Sequence, residues 1–459
     1  MRKAKDSVGD GRRGRRKPAV GESADVRAGE LRPALTKASL VKEARPASRA
    51  RPPLIKQRDT ALRHLAETVV ARGWVEQIGQ PNSDGAVPLT VREHRERCTV
   101  WVRAEALTRQ PVPLQSVVAI RSAQPTHSEQ TPASDIELVR AALAAAGDES
   151  HWALRIRSPA ARAAAMARHR LESGLRRYLE GRECIAVQPP LLAERSGGAA
   201  EATAMPDRSG RTALLRHAGW MYVDSMVTAL ERVYALSPVF QAGSGVTPVH
   251  QARSWILQAE VAWASHEEIM QWEEGLMRHL AQQLMADRAS LLEPLGVDLR
   301  GLEIWRQAFP IISYDEALKI LTRAGHRAAY GCEFTHRERA VLDLAFETPY
   351  FVTDLPTSLA PLVTVEDPKQ PGVTRSHWLM PRAGQRALSV GGERMTEWVS
   401  ASAQGRGAAS PAAWQSVPWF ADTRRFGCVP HSGFELDFDQ LCQTLLGGRE
   451  AGVEVPGVG

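Results

Sequence analysis

The sequence contains no run of about 18 apolar residues, so no membrane span is expected. No apolar core of a secretory signal follows Met1. Aromatic residues are sparse, at 6% of 459 residues. Cysteine is rarer still, and Cys98, Cys184, Cys332, Cys428 and Cys442 lie far apart, with no C-x-x-C and no histidine at metal-ligand spacing. That spacing predicts reduced thiols in a cytoplasmic protein, not a disulfide framework or a metal site. What is present is 43% apolar residues. They suffice to bury a core in each of the two or three domains that the length suggests.

Charge is unevenly placed. The net charge is +6, yet residues 1–58 hold 17 Lys/Arg against 6 Asp/Glu, leaving 41 against 46 for the rest. The body is mildly acidic and the basicity belongs to a tail. Rich in Arg, Lys, Pro, Gly and Ala, the tail cannot bury enough apolar area to offset its ordering entropy, so it is expected to be disordered. It reads either as a solvated tail or as an arm touching tRNA or other nucleic acid through phosphates. An organelle transit peptide fits less well, because Asp6, Asp10 and Glu22 interrupt the basic run.

Residues 59–123 carry four or five short alternating segments, among them VVARGWV, AVPLTVRE, CTVWVRAE and SVVAIRS, with GQPNSDG as a turn. That pattern suits a small OB-type β-barrel. Residues 124–150 read as a polar hinge ending in an alanine-rich helix. PAARAAAMARHRLESGLRRYLEGREC and HEEIMQWEEGLMRHLAQQLMADRASLL both space apolar residues for amphipathic helices, and IAVQPPLL reads as a strand. Tyr314 to Asp367 gives an irregular middle region. From Trp419 to Leu446 the chain reads as a loop with a basic pair (Arg424, Arg425), a Gly427–Gly433 turn, a short apolar strand and a helix.

This last stretch resembles the final motif of class II aminoacyl-tRNA synthetases, the asparaginyl branch in particular. There the pattern runs aromatic-x-x-Leu-Arg-Arg-aromatic-Gly-x-Val-Pro-His-Ala/Ser-Gly-Phe-Gly-Leu-Gly-aromatic-Glu-Arg. The resemblance extends over roughly residues 65 to 447. It implies an α+β fold: a class II antiparallel sheet flanked by helices over residues 151–447, after an anticodon-binding barrel, with a tail from 448 to 459. It also implies a dimer built on the long helix and the strand ending at Pro189 or Pro190, with this chain or a synthetase-like relative as partner. In the barrel, the family's stacking aromatic and reading glutamine fall on Pro88 and Thr99, which favours a packing module over an anticodon reader.

The residues that carry chemistry depart from the family. Gln241 stands for the arginine that holds the α-phosphate, Gly243 for a glutamate, Val249 for a second arginine and Ser254 for the phenylalanine that stacks adenine. Arg253 replaces a glutamate, and Trp220 replaces a glutamine that contacts the substrate's amino end. SGGAAEATA (196–204) takes the place of a mobile lid. His377 replaces an aspartate and Ala387 a magnesium-binding glutamate. Glu435 and Asp437 stand where the family has glycines, and Gln440 replaces the terminal arginine. Adenylation needs cations where charge develops, so no ATP, magnesium or other cofactor is expected.

Asp224 and Arg425 match the pair that the resemblance assigns to an asparagine side chain, with Arg394 and His431 lining the same region. They are amino-acid-pocket candidates or leftover structural ion pairs. Three readings follow. One is a non-catalytic paralogue acting as scaffold, regulatory subunit or amino-acid-like ligand binder. Another is a divergent asparagine/aspartate-tRNA ligase or amide-forming enzyme, which would need ATP and magnesium. The last is a tRNA-binding module.

Overall fold

The computed structural model describes residues 69–94, 96–121, 133, 135–141, 152–193, 204–206, 212–215, 219–240, 253–360, 363–397 and 418–448. The expected tails, most of the 196–204 loop, and Gln241, Gly243 and Val249 lie outside them. The chain separates into two units, Met1–Ala146 and Gly147–Gly459.

In the first unit, β1 (Val69–Ile78), β2 (Ala86–Glu93), β3 (Glu96–Arg103), β4 (Val117–Arg121) and β5 (Asp135–Arg140) form an antiparallel sheet ordered β3-β2-β1-β4-β5. Alternation drives it: Val87, Leu89 and Val91 point into the core, while Pro88 and Thr90 remain only partly buried. A bridge between Val102 and Ala133 ties β3 to the stretch before β5, which gives the expected OB-type curl. The barrel does not end at 123, because Asp135–Arg140 pairs with β4 from Arg121 back to Val117. The stretch expected to be a hinge thus contains the fifth strand, betrayed by the alternation of Ile136 and Leu138 with Asp135 and Glu137. On the partly exposed face, Arg92 lies 4.3 Å over the Trp74 ring, and Trp101 pairs with Pro88.

The second unit is built on an eight-stranded sheet ordered β12-β13-β14-β15-β16-β11-β10-β6. Its strands are β6 (Ile185–Ala186), β10 (Arg232–Phe240), β11 (Arg253–Ala262), β12 (Ile311–Ser313), β13 (Tyr350–Thr353), β14 (Ser376–Met380), β15 (Ser389–Glu393) and β16 (His431–Asp437). The inner pairs are antiparallel, and the outermost β6 and β12 pair parallel. Three short strands, β7 (Leu192–Ala193), β8 (Ala204–Pro206) and β9 (Thr212–Leu215), form a separate small sheet.

Strand alternation gives the large sheet two unlike faces. Leu257, Ala259, Val261, Phe434 and Leu436 turn to the back. There they meet α2 (Pro159–Glu180) and α4 (His266–Ala286). Those helices present Leu171, Leu175 and Leu179, and Leu276, Leu280 and Leu284, at the i, i+4 spacing of a buried stripe. Ser158 caps α2, and Ser265 with Glu268 forms a capping box on α4. Also at the back, His377 Nε2 lies 2.5 Å from Glu273 Oε1, and His266 Nε2 lies 2.9 Å from His377 Nδ1. His377 thus faces away from the polar front, on which Gln258, Glu260, Glu435 and Asp437 stand.

Residues 314–367 are not irregular. They hold α5 (Tyr314–Arg323), α6 (His336–Asp343) and β13 around a core of Tyr314, Phe334, Tyr350 and Trp378. Both helices open on capping boxes, Ser313 with Glu316 and Thr335 with Glu338. All five cysteines are free, and Cys184 and Cys442 are buried. Among the described residues no helix is long and apolar enough to cross a membrane.

Gly433 lies within β16 and not in a turn. It is there because a Cβ at that position would fall 2.0 Å from Glu260 Oε2 and 2.4 Å from the Ala259 carbonyl oxygen. Gly433→Ala should therefore cost about 3 kcal/mol in urea unfolding; an unchanged midpoint would mean that Glu260 can move aside.

Candidate functional site

Five charged side chains from five segments meet on the front of the sheet: Asp224 of α3 (Trp220–Leu230), Glu260 of β11, Arg394 after β15, Arg424 of α7 (Pro418–Arg425) and His431 of β16. Arg424 donates both Nη atoms to the Asp224 carboxylate, Nη2 to Oδ2 at 2.8 Å. His431 Nε2 donates to Asp224 Oδ2 at 3.1 Å, and its Nδ1 donates to the Val429 carbonyl at 2.8 Å. Arg394 grips Glu260 through Nη2 at 2.8 Å and Nε at 3.1 Å. Every member of this network is buried.

Burial alone would raise the Asp224 carboxyl, but Arg424 and His431 outweigh it and hold it well below the usual range. Burial would likewise lower His431, yet Asp224 above all pushes it up to about 10. With both ring nitrogens donating, His431 is an imidazolium. Arg424 also lies 4.3 Å over the Phe420 ring, which meets Trp220 edge-on at 5.2 Å.

Asp224, Arg394 and His431 are thus brought together as expected, but Arg425 is not. Its place is taken by Arg424. The basic pair lies on a helix, where successive residues point about 100° apart, so only one can face inward. Phe420 and Arg424, four apart, share the buried side, and Arg425 is exposed. Asp224, Glu260 and His431 also place ligand atoms within 4.8 Å of one another. Their oxygens are already held by two guanidiniums, so the arrangement fits an ion-pair network and not a metal centre.

Beside the network lies a cleft of roughly 270 Å³. Its lining includes Ile256, Val390, Glu435 and Asp437 from the sheet, Gln440 from α8 (Phe438–Leu445), and Ala387. Four of the five described positions where the sequence departs from the nucleotide-binding pattern therefore line one space. The fifth, Ser254, donates to Asp437 Oδ1 at 3.0 Å. Asp437 also caps α8, accepting from the Gln440 backbone N–H at 2.9 Å. Burial raises both carboxyls. Glu435 is pushed up to about 7, with Arg394 pulling it down and Glu260 pushing it further up.

Sequence reasoning missed two arginines that line this cleft, Arg339 and Arg386. Arg339 is committed to backbone carbonyls: Nε donates to Gly384 at 3.0 Å and Nη1 to Phe334. Arg386 is exposed at the rim. It follows a loop in which Arg382, Ala383 and Gly384 are all left-handed, with φ of 78°, 58° and 66°. The Gly384 N–H donates to Asp343 Oδ2 at 2.6 Å and Arg382 Nη1 to the Glu347 carbonyl at 2.7 Å. Two consecutive non-glycine residues there are strained and persist only because they are tied down.

Two predictions follow from this geometry. Arg424→Met leaves Asp224 buried with half its partners, and urea unfolding should show a loss of about 3–5 kcal/mol. Arg425→Met should stay within about 0.5 kcal/mol; equal losses would contradict the assignment. Separately, Glu435 binds a proton more tightly folded than unfolded, so its contribution to stability falls as pH rises from about 4.5 toward 7. Glu435→Gln removes that loss. Its unfolding free energy in urea should match the parent's near pH 4.5 and exceed it above pH 7, by ~1–3 kcal/mol.

Comparison with known proteins places the geometry in a lineage. Residues 149–451 match the family of class II tRNA synthetases described as D, K and N. An asparagine–tRNA ligase of Thermoplasma acidophilum is 27% identical over 57% of this chain and 60% of its own length. That of Pyrococcus abyssi is 29% identical over 64% and 67%. The match to these relatives thus spans about 60–67% of their length. In fold, the chain superposes on asparaginyl-tRNA synthetase from Pyrococcus horikoshii complexed with asparaginyl-adenylate. The TM-score is 0.72 at 23% identity, over 83% of this chain and 92% of that one. With a matched segment that holds the sheet, the network and the cleft, the chain belongs to the class II tRNA synthetases of the D, K and N group, on their asparaginyl branch.

Proposed function

We propose that this protein is an asparaginyl-tRNA synthetase-like paralogue that no longer activates an amino acid with ATP and keeps the synthetase frame as a dimeric binding subunit. One observation carries the reading: the cleft floor is acidic. Glu435 and Asp437 lie in it, Gln440 and Ala387 bring no charge, and Glu333 adds a further carboxylate at the rim.

Activation of a carboxylate requires cations against a triphosphate as charge develops, and each missing one slows such a step by about 10²–10³-fold. Arg339 keeps its charge but is tied to two carbonyls, so two guanidiniums stand against three carboxyls. That balance repels a triphosphate. Ala387 offers magnesium no ligand atom, and Asp437 Oδ1 already accepts from Ser254 and Gln440. The groups that would select an amino acid satisfy one another. Asp224, Arg424 and His431 hold a closed set of hydrogen bonds that stabilises the frame without a ligand. Ile185, Leu191 and Leu192 around the edge strand β6 are 45–52% exposed, which supports pairing with a second copy or a related chain at that edge.

Isothermal titration calorimetry with ATP and magnesium should give no heat of binding at up to millimolar nucleotide, and asparagine-dependent ATP–pyrophosphate exchange should be absent. Micromolar ATP affinity, or exchange above background, overturns the proposal.

A further inference from the structure

We propose that the cleft over β11 and β16 holds a small organic cation, its ammonium seated on Glu435 and its apolar body against Trp378 and Phe334. The inference rests on the reading that this cleft does not take a nucleotide.

Glu435 is recessed in the floor, yet no described residue forms an ion pair with its carboxyl. The nearest cation, Arg394, is already bidentate on Glu260. In its row across the sheet, Glu435 is flanked by Gln258 on β11 and Val390 on β15. Gln258 is only 1% exposed; its amide lies beside Glu435, and its Oε1 packs toward Gly219. Because Ile256 lines the cleft and side chains alternate along a strand, Gln258 points to the same side. An amide neighbour brings Glu435 no charge, so the carboxyl stays without a counter-ion among the described residues.

An ammonium supplies the charge that Glu435 lacks. Phe334, Trp378, Met380 and Val390 form apolar walls, and the two rings favour a cation's apolar body and a nearby positive charge. An anion finds less: Arg339 is tied to the backbone, and Arg386 stands at the rim in solvent.

The groups facing Glu435 are Gln258 and Glu260 from β11, Arg394 after β15 and Asp437 on its own strand. Across the cleft stand Glu333, Arg339 and Arg386. Burial raises the carboxyls of Glu435, Glu260 and Asp437, that of Glu435 to about 7. A bound cation favours its ionised form, so binding releases a proton below pH 7 and strengthens with pH.

The test is calorimetry on the full chain with 2-phenylethylamine. Its neutral and anionic counterparts, 2-phenylethanol and 3-phenylpropionate, serve as controls, and ATP with magnesium is run as a separate arm. The amine should bind at least tenfold more tightly than the alcohol, and the carboxylate should not bind. Amine affinity should rise several-fold from pH 5.5 to pH 8. Glu435→Gln should weaken it at least tenfold with circular dichroism unchanged, and Arg386→Gln should not weaken it. Equal binding of amine and alcohol, amine binding indifferent to Glu435→Gln, or no amine binding at millimolar concentration overturns the inference. Failure of the amine with ATP also silent overturns this inference alone. ATP binding overturns the reading beneath it.

Discussion

Glu260 stands where β11 and β16 run side by side with no side chain between them. Gly433 opposite it leaves room for a carboxylate to lie on the sheet, and Arg394 holds that carboxylate by both oxygens. From this point the front of the domain is ordered outward. His431 lies 3.9 Å from Glu260 and 3.1 Å from Asp224, so the strand pair is joined through charge to α3 and, through Arg424, to α7. Desolvating five such groups is expensive, and it is tolerated because nearly every lone pair and proton in the set finds a partner.

The cleft beside this network owes its charge to few residues. Acidic side chains at two positions of one strand alter the potential of the whole floor, because alternation points both the same way. Asp437 is not idle in that setting. It begins α8 and fixes Ser254, so this carboxylate is part of the local architecture. Glu435 caps no helix and forms no ion pair with a described residue, and that asymmetry separates the two carboxyls.

Much of this was legible beforehand. The 3.6-residue stripes of α2 and α4 and the alternation of β11 and β16 are local patterns, and local patterns survive folding. Other features were hidden for specific reasons. The pair Arg424–Arg425 is ambiguous until one knows that it lies on a helix, although Phe420 four residues earlier was the available clue. The capping boxes at Ser313 and Thr335 marked two helices in a stretch that reads as irregular without them. Acidic, short and unpunctuated by turn residues, β5 was lost in a polar segment. Arg339 and Arg386 reach the cleft from a helix and a loop far along the chain from Glu435, and no spacing rule connects them. His377 could be placed in sequence but not on a face, and the sheet turned it toward Glu273.

The strained loop from Arg382 to Gly384 bears on how the cleft is entered. Tied by Asp343 at one point and by the Glu347 carbonyl at another, that rim cannot swing like a hinged flap. Among the described residues along this edge, the exposed Arg386 side chain flanks the aperture. Rotamer exchange of such a chain takes picoseconds to nanoseconds, so traffic past it is filtered by size and charge and not delayed by a slow gate.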